Sequence, residues 1–597
     1  MSAERQTQDL KKSPFTTERV RNDRRNKTLS LRSSDRLSRC NQKRKLGPPV
    51  LSGFSSFSPF SDPLDDSVSP HPSSSNSSSS STLNSDNECN SDQDDDRDYD
   101  DGRDFEASAP LPSPEELGRR LDVLLSPSSP SSQRIEQLRF FEHFLGPSGS
   151  PFAIEHLAKH LGRPFLQALF SHLGVSHGAH PRGFPDAVDL QLLSAHCIAN
   201  LAVGNSEQTR PLLNAVPLLA AVLKSSIPAG GGPEELLASL SSTTHERSRI
   251  RLLVACTHAI SNLASDGPEF VEAILDCGLL QTLLVLFRAC CRALRAAESE
   301  TCALLATLAS ALGPIVGSPT HVASLGPEDG LGLLRQCEGA LGLLCEGQAH
   351  FDGNYEPLVA ELLWLITYVS SALNCQTANV VLEVDEKRLL VLFGRLQVAD
   401  LSHEARVPLL RSLGNLFNLC DDLVFRKAFA TLHGLCLGCL LPAMKSRHRA
   451  VVKEACWFLR CLVARALHTE QFQLLVDSQE LVSTALPIFA NFAIDIKQEL
   501  AIFVLELFRR KTMVRDILPQ CLKPFLSLLR HPNPDVAVIA LQFTEMVLSQ
   551  SKSAPRQVDR AGGIDDLEYL ELHSPVPGLS DYVHRLVDRY FGMDYEV

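Results

Sequence analysis

The sequence predicts an all-α protein in which most of the chain forms a stack of helical repeats. From about residue 113 onward, apolar residues recur at helical spacing in segments separated by short breaks rich in Gly, Pro, Asn and Asp. No convincing strand pattern is visible, and aromatic residues make up only 6% of the 597 residues. These observations favour helices that pack through small and aliphatic side chains.

The first part of the chain has the composition of an interaction tail and a linker. Residues 1–50 carry 14 Lys and Arg against 5 Asp and Glu, whereas residues 86–106 carry 11 acidic residues against 2 arginines. The Ser- and Pro-rich stretch between them has too few apolar residues to offset the entropy cost of ordering. We predict a basic arm over 1–50 and a disordered linker over 51–112, in which the acidic run is solvated or competes for the arm.

The helical segments after residue 113 repeat. Most steps between equivalent positions are about 41–48 residues, and two visible insertions, "SSIPAGGGPEELLASLSSTTHE" and "GSPTHVASLGPEDG", explain the two longer steps. This period is typical of armadillo and HEAT solenoids, in which each repeat buries its apolar face only against its neighbours. The equivalent positions are Asn200, Asn262, Ser310, Tyr368, Asn415, Cys461 and Leu505.

Other function classes find little support in the sequence. The seventeen cysteines lack a disulfide framework and indicate reduced, buried thiols. Cys436 and Cys439 form a C-x-x-C in an apolar helix, where packing is the favoured interpretation, and His172, His177 and His180 form only a loose cluster in a predicted loop. We expect no secretory signal and no membrane span.

The sequence also contains no recognisable catalytic motif. We find no phosphate-binding glycine loop, no nucleophile elbow and no carboxylate pair placed for catalysis, so we predict a non-enzymatic protein without cofactor or metal. The basic arm could bind nucleic acid instead of protein, but it lacks interleaved aromatic residues and a nucleic-acid-binding module, which makes nucleic acid the less favoured partner.

Two short stretches repeat the form His-x-x-x-Asn-Leu-Ala followed by a polar or glycine turn. They are "AHCIANLAVGNSEQTR" at 195–210 and "THAISNLASDGPEF" at 257–270. Residues four apart lie on one face of a helix, and an asparagine amide can both donate to and accept from an extended peptide backbone. The pattern therefore indicates a repeated peptide-binding face.

These stretches resemble the second and third armadillo repeats of the importin alpha family of nuclear-import adaptors. "ELLWLITYVSS", "VPLLRSLGNLF", "VKEACWFLRCL" and the C-terminal "AGGIDDLEYLELH" with "VHRLVDRYFG" agree with the family in the same order. The resemblance implies a right-handed superhelical armadillo solenoid, with repeats over 113–550 and a final repeat and export-receptor-binding tail over 551–597. It also implies a groove that reads basic nuclear localisation signals.

The resemblance implies two signal-binding sites on the repeated face. In the family, Trp-x-x-x-Asn pairs and nearby acidic residues hold lysine stems, ammonium groups and the peptide backbone. The matching major-site positions are His196, Asn200, Gly204, Thr209, His258, Asn262, Asp266, Glu361, Trp364 and Tyr368. The matching minor-site positions are Arg411, Asn415, Glu454 and Trp457.

This chain departs from the family pattern at several of these positions. Tryptophan positions hold His196, His258, Ala306 and Ala501, and asparagine positions hold Ser310, Cys461 and Leu505. A lost cation–π contact costs about 0.5–2 kcal/mol and a lost hydrogen bond about 0.5–1.5 kcal/mol. We therefore predict an altered major site, which binds basic peptides more tightly when its histidines are neutral, and a weak minor site.

The basic arm resembles the family's importin-beta-binding segment. The resemblance implies that it binds importin beta as a helix and, when free, places its basic cluster in the protein's own groove. The implied contact residues are Arg21, Arg24, Arg25, Leu29, Leu31, Arg32, Arg36, Lys43, Arg44 and Lys45.

The expected function is a nuclear-import adaptor that shuttles between cytoplasm and nucleus. It would link basic cargo signals to importin beta and be returned by the family's export receptor. Two alternatives stay open: an armadillo scaffold that has lost general signal reading, and a protein that uses the arm only for its own import.

Overall fold

The computed structural model describes residues 111–146, 152–174, 185–225, 227, 244–294, 299–318, 327–345, 355–383, 394, 401–466, 470–510, 514–574, 576 and 578–592. The chain divides into two units, residues 1–35 with 112–597 and residues 36–111. The basic arm and nearly all of the predicted linker lie outside the described residues.

The described part of the chain is built from helices and contains no strand. In chain order the α-helices are α1 (Pro114–Leu125), α2 (Ser131–Leu145), α3 (Ala153–His160), α4 (Gly162–Leu173), α5 (Pro185–Leu201), α6 (Ser206–Thr209), α7 (Val216–Ser225), α8 (Thr244–Asp266), α9 (Pro268–Asp276), α10 (Leu279–Ala293), α11 (Ser299–Val316), α12 (Pro327–Cys345), α13 (Glu356–Ala372), α14 (Cys375–Glu383), α15 (His403–Leu419), α16 (Asp422–Met444), α17 (Arg449–Ala466), α18 (Gln471–Val476), α19 (Gln479–Asn491), α20 (Ile494–Arg509), α21 (Val514–Leu528), α22 (Pro534–Leu548), α23 (Ala554–Arg560), α24 (Gly563–His573) and α25 (Leu579–Phe591). A 3₁₀-helix, Arg210–Ala215, joins α6 to α7.

Local chemistry sets many of the helix boundaries. The side chains of Ser113, Asp421 and Ser478 each accept a hydrogen bond from a backbone N–H in the first turn of α1, α16 and α19 respectively. Such N-caps satisfy donors that would otherwise lack partners, at a gain of about 0.5–2 kcal/mol each. Pro268 and Pro534 open α9 and α22 at positions where a missing backbone N–H costs nothing.

The helices pack into two layers. In the first layer α2, α5, α8, α11, α13, α15, α17, α20 and α22 follow one another, and each contacts the next. In the second layer α4, α7, α10, α12, α14, α16, α19, α21 and α24 follow one another in the same way. Each second-layer helix from α4 to α21 also packs on the first-layer helix that follows it in the chain, so the apolar core lies between the layers.

Aliphatic side chains fill most of this core, and phenylalanines join the layers toward the C-terminal end. The ring of Phe525 in α21 stacks on Phe543 in α22 with centroids 3.9 Å apart, and it meets Phe489 of α19 at 4.7 Å. Phe508 of α20 approaches Phe543 edge-on at 4.8 Å. Burial of each such ring stabilises the fold by about 1.5–3 kcal/mol.

Small residues let first-layer helices approach aromatic rings closely. A Cβ placed on Gly313 would lie 2.7 Å from Tyr368, and one on Gly317 would lie 2.5 Å from it. A Cβ on Gly414 would likewise meet Trp457, with its Cη2 at 2.7 Å. These glycines are therefore part of the packing, since a larger side chain would force the rings to move.

The sequence-based prediction of the fold class is confirmed. The seven equivalent positions fall one each on α5, α8, α11, α13, α15, α17 and α20, which are consecutive members of the first layer. The domain boundary at residue 550 stays a prediction, and it falls between α22 and α23.

One sequence-based prediction is wrong in its local structure. His172 was assigned with His177 and His180 to a loop, but it lies in α4 and is 4% exposed. Its side chain takes the apolar side of the helix beside Leu169 and Leu173, which are also buried. His177 and His180 lie outside the described residues.

Among the described residues, no single helix is long and apolar enough to cross a membrane, although two sharply bent pairs of helices meet the length and composition criteria when their members are joined.

Gly414 and Gly434 offer a matched test of this packing, because both are helical glycines. A Cβ at Gly414 meets the Trp457 ring, whereas a Cβ at Gly434 meets nothing within 4 Å. We expect Gly414→Ala to lower the free energy of unfolding by about 1–3 kcal/mol through overpacking. Gly434→Ala is expected to raise it by about 0.5–1 kcal/mol through chain entropy. Urea unfolding followed by far-ultraviolet circular dichroism measures both, and equal effects would contradict the packing of Trp457 on α15.

Candidate functional site

The predicted signal-binding residues are distributed along the first layer. His196 and Asn200 lie in the last turns of α5, and His258, Asn262 and Asp266 lie in the last turns of α8. Because each pair is four residues apart, the members of a pair share one face of their helix. Consecutive first-layer helices are in contact, so these faces follow one another along the stack.

The turn after α5 is fixed by its own side chains. Asn205 and Gln208 form a reciprocal capping arrangement: the Asn205 N–H donates to Gln208 Oε1 at 3.0 Å, and the Gln208 N–H donates to Asn205 Oδ1 at 3.1 Å. A Cβ on Gly204 would lie 2.6 Å from Gln208 Oε1. A side chain at 204 would therefore displace the Gln208 amide from this capping arrangement.

Thr209 and Asp266 meet across two repeats. The Thr209 hydroxyl donates to Asp266 Oδ2 at 2.5 Å, although 57 residues separate them in the chain. Thr209 is buried and Asp266 is half-buried. The hydroxyl and carboxylate that the resemblance assigned to a lysine pocket are thus brought together, with the Thr209 hydroxyl 0% exposed and its proton directed at the half-buried carboxylate.

His196 has a partner that sequence reasoning missed. Its Nδ1 lies 3.0 Å from Oε1 of Glu142, which belongs to α2 in the preceding repeat. Both side chains are about one-third exposed, at 36% and 37%. The imidazole is therefore oriented by a carboxylate, and Glu142 adds a second acid to the face that carries Asp266.

The asparagines bridge neighbouring repeats. Asn262 Nδ2 donates to the Ala199 carbonyl at 2.7 Å, and Asn415 Nδ2 donates to the Thr367 carbonyl at 3.3 Å and to Ser370 Oγ at 3.1 Å. In both cases the accepting carbonyl belongs to the residue just before the equivalent position of the preceding first-layer helix. We call this contact the register bond. It uses an N–H of the asparagine side-chain amide that was predicted to bind the peptide backbone.

The same register is kept where asparagine is replaced. Ser310 stands at the asparagine position of α11, and the Ser261 hydroxyl donates to the Ser310 hydroxyl at 2.9 Å. Ser261 is the residue just before Asn262, so this bond joins the same two positions as the register bonds. The serine has kept the bridging function of the position with a shorter side chain.

The fifth-repeat residues on α13 are buried. Trp364 is 3% exposed, Tyr368 is 6% exposed and Glu361 is 8% exposed. The rings of Trp364 and Tyr368 are tilted at 40° with centroids 6.3 Å apart. None of these three side chains is without a partner.

Arg411, Glu454 and Trp457 form one buried cluster between α15 and α17. Arg411 donates through Nε to Glu454 Oε1 and through Nη2 to Oε2, the latter at 2.6 Å, which makes the pair bidentate. The side chains of the pair are only 4% and 1% exposed. The guanidinium also lies 4.9 Å from the centre of the Trp457 ring. A cation of the chain itself thus occupies an aromatic face and a carboxylate that were predicted to receive cargo.

Further ion pairs connect α17 to α20. Lys453 and Arg449 both bind Asp495, at 2.5 Å and 2.8 Å, and Arg460 binds Glu499 at 3.1 Å. Burial raises the pKa of Asp495, but the hydrogen bond from Lys453 and the charges of Lys453 and Arg449 outweigh it, so that its pKa is lowered. The sequence alone did not predict these ion pairs, because it shows only residues of opposite charge about one repeat apart.

The other candidate sites that the sequence suggested are a metal site and a reactive C-x-x-C. No group of three His, Cys, Asp or Glu side chains among them could hold a metal ion. Cys436 and Cys439 lie buried in α16, and burial raises the pKa of Cys439 to about 12, which keeps the thiol protonated. The packing interpretation of this C-x-x-C therefore fits its surroundings. The predicted contact residues of the basic arm lie outside the described residues.

Comparisons with known proteins agree with the helical stack. No family model matches the chain. Importin subunit alpha-9 of Arabidopsis thaliana is 28% identical over 431 residues, which cover 68% of this chain and 73% of that protein. Importin subunit alpha-2 of Oryza sativa subsp. japonica is 26% identical over 264 residues, covering 41% of this chain and 48% of that protein.

A solved structure bears on the fold alone. An engineered protein with a crystal structure has a TM-score of 0.53 and 18% identity, covering 80% of this chain and 99% of that one. The two-layered stack of helices, joined by a bond at the same register in successive repeats, defines an armadillo-like helical repeat protein. At identities of 28% and 26%, the chain is similar to these two importin alpha proteins.

The buried ion pair generates a test of how the cluster is held. We expect Glu454→Ala to lower the free energy of unfolding by about 3–5 kcal/mol, because it leaves Arg411 buried without the carboxylate that neutralises it. The double variant Arg411→Met/Glu454→Leu should lose much less, since both charges are removed together.

The exposed pair Lys445–Glu480, with side chains 52% and 60% exposed, supplies the control. Glu480→Ala should change the same free energy, measured by urea unfolding, by only about 0–1 kcal/mol. If Glu454→Ala were as mild as Glu480→Ala, the Arg411–Glu454 pair would not be a buried structural pair.

Proposed function

We propose that the protein is a nuclear-import adaptor. Its first-layer face binds basic nuclear localisation signals of cargo proteins, and its basic arm links the complex to importin beta. The protein shuttles between cytoplasm and nucleus, and the family's export receptor engages residues 551–597. Similarity to two importin alpha proteins supports this assignment at the level of the class.

The pairing of Thr209 with Asp266 is the observation that carries the proposal. A lysine ammonium has three donors and no acceptor, so it is best held by a carboxylate together with neutral oxygens. Asp266 supplies such a carboxylate, which the buried Thr209 hydroxyl orients at 2.5 Å beside the glycine turn at 204. Glu142 adds negative charge one repeat away, against His196. The first repeats therefore favour an extended cationic segment.

The distribution of binding strength follows from the departures from the family pattern. Histidine at 196 and 258 keeps a flat aromatic face but, when protonated, repels a lysine. At the other site, Arg411 already stacks on Trp457 and binds Glu454. A cargo lysine would have to replace this cation, so we assign the stronger binding to the first site and weak binding to the second.

The basic arm supplies the link to importin beta and an internal competitor. Arg21, Arg24, Arg25, Leu29, Leu31, Arg32 and Arg36 are the proposed helix contacts, and Lys43, Arg44 and Lys45 the proposed groove ligand. A flexible tether converts such a ligand into an intramolecular one with an effective concentration of about a millimolar, so the arm would hold the groove closed until importin beta removes it.

A charge reversal at Asp266 tests the cargo site. We expect Asp266→Lys to weaken binding of a fluorescein-labelled basic signal peptide by about 10–100-fold. The variant removes a charge-assisted hydrogen bond worth about 1.5–3 kcal/mol and adds a repelling ammonium. Fluorescence anisotropy with the full chain gives the dissociation constant, with importin beta present to displace the arm.

The matched control reverses an acid of the same type outside the site. Asp276 ends α9 and is exposed, so Asp276→Lys makes the same change in net charge. Its effect on peptide affinity should stay below about twofold, as expected for a screened surface charge. Equal weakening by the two variants would point to non-specific attraction and refute the cargo site.

The arm is tested by itself. A peptide of residues 1–50 should capture importin beta in a pull-down, because the cationic face of the proposed helix matches an acidic partner. Replacement of Arg32 and Arg36 by Glu should abolish the capture, while Arg5→Glu/Arg19→Glu, which makes the same charge change elsewhere in the peptide, should preserve it. If both peptides lost importin beta capture equally, the arm would bind only through non-specific attraction between opposite charges.

A second candidate is a scaffold of the same fold that holds one dedicated partner and no longer reads general signals. The self-filled cluster of Arg411, Glu454 and Trp457 favours it, as does the use of Asn262 and Asn415 in register bonds. Failure of several unrelated basic peptides to bind the full chain with importin beta present would decide for this alternative.

A further inference from the structure

A groove lies in the second layer, away from the predicted signal-binding residues. It runs between α19 and α21, beside the first turn of α20, and has a volume of about 590 Å³. This volume falls in the range of about 300–1,000 Å³ that is usual for ligand clefts. The lining residues are Pro487, Ala490, Asn491, Lys497, Pro519, Gln520, Lys523, Pro524 and Ser527.

Two lysines give the groove its charge. Lys497 and Lys523 both line it, and no acidic side chain is part of the lining. Among the described residues neither lysine belongs to an ion pair, in contrast to Lys453, which binds Asp495, and Lys445, which binds Glu480. The fold therefore holds two cations together without an anion between them.

The lowered pKa of Lys497 shows that this arrangement disfavours its positive charge. Its pKa is lowered by burial and by the neighbouring charge of Lys523. Both causes disfavour the charged ammonium in the empty groove. An anion bound between the two lysines would relieve the repulsion and restore the favourable charge state, so binding energy is available to a negatively charged ligand.

The backbone of the groove suits a peptide better than a small ion. Proline has no N–H, so Pro524 inside α21 leaves the Gln520 carbonyl without the donor it would have in an uninterrupted helix. A carbonyl without a helical donor accepts a hydrogen bond from a peptide N–H, while a free anion has no such donor.

We propose that the groove between α19 and α21 binds an acidic peptide segment of a partner protein, with its carboxylates on Lys497 and Lys523. The three prolines provide rigid apolar walls against which the peptide packs. The Gln520 carbonyl accepts a hydrogen bond from one of the peptide's backbone N–H groups. This site is independent of the proposed cargo site, since it lies between α19 and α21, has no lining residue in common with that site and selects the opposite charge.

The test uses a fluorescein-labelled peptide with the sequence of residues 86–106, which carries 11 acidic residues, and a matched peptide with every Asp and Glu replaced by Asn and Gln. Binding is measured by anisotropy on the full chain and on a full-chain variant whose own 86–106 acids are replaced in the same way, so that this tract cannot mask the groove. The acidic peptide is expected to bind and the neutral peptide is not. Binding should weaken with added salt.

Matched lysine variants locate the binding. Lys497→Gln/Lys523→Gln should weaken the acidic peptide at least about fivefold, whereas Lys159→Gln/Lys552→Gln, with the same charge change at exposed positions elsewhere, should change it less than about twofold. Unchanged affinity of the basic signal peptide for the first double variant shows that it is folded. Equal weakening by the two double variants, or no binding of the acidic peptide to either form of the chain, overturns the proposal.

Discussion

Contact between successive first-layer helices is the constraint on which the rest of the structure depends. An armadillo-like repeat cannot bury its apolar face alone, so each helix needs its neighbours at a fixed height and rotation. The register bonds of Asn262 and Asn415, and the serine pair that replaces one of them, set that height with directional hydrogen bonds. Apolar packing supplies most of the stabilisation, and these buried hydrogen bonds add directional specificity to the alignment.

The same constraint explains why recognition and architecture share residues. The face that presents His196, Asp266 and the asparagines is also the face along which repeats are joined. At the minor-site positions the chain makes contacts of its own, since Arg411 lies over the Trp457 ring and pairs with Glu454. The departures at 196, 258 and 310 thus fall on helices that still follow one another in the first layer.

Much of the fold was readable from the sequence because helical periodicity depends on local spacing. The repeat positions from Asn200 to Leu505 fall on consecutive first-layer helices, and the side chains of Thr209 and Asp266, which the resemblance assigned to one pocket, are in contact. Partners across repeats were harder to find. Glu142 lies 54 residues from His196, and no pattern within either segment indicates which of several acids would reach it. His172 was placed in a loop because the Gly- and His-rich residues after it obscured the end of α4.

The two-layer stack also determines how the protein responds to damage. Within the described part of the chain, a first-layer helix makes its main contacts in that layer with the helix before it and the helix after it, so a lost contact acts mainly on neighbouring helices. Unfolding in such an array can begin at a single weak junction and spread along it, leaving folded blocks on either side. A lesion near α11 and one near α20 would then produce different partly folded species, and cellular proteolysis would cut each at a different place.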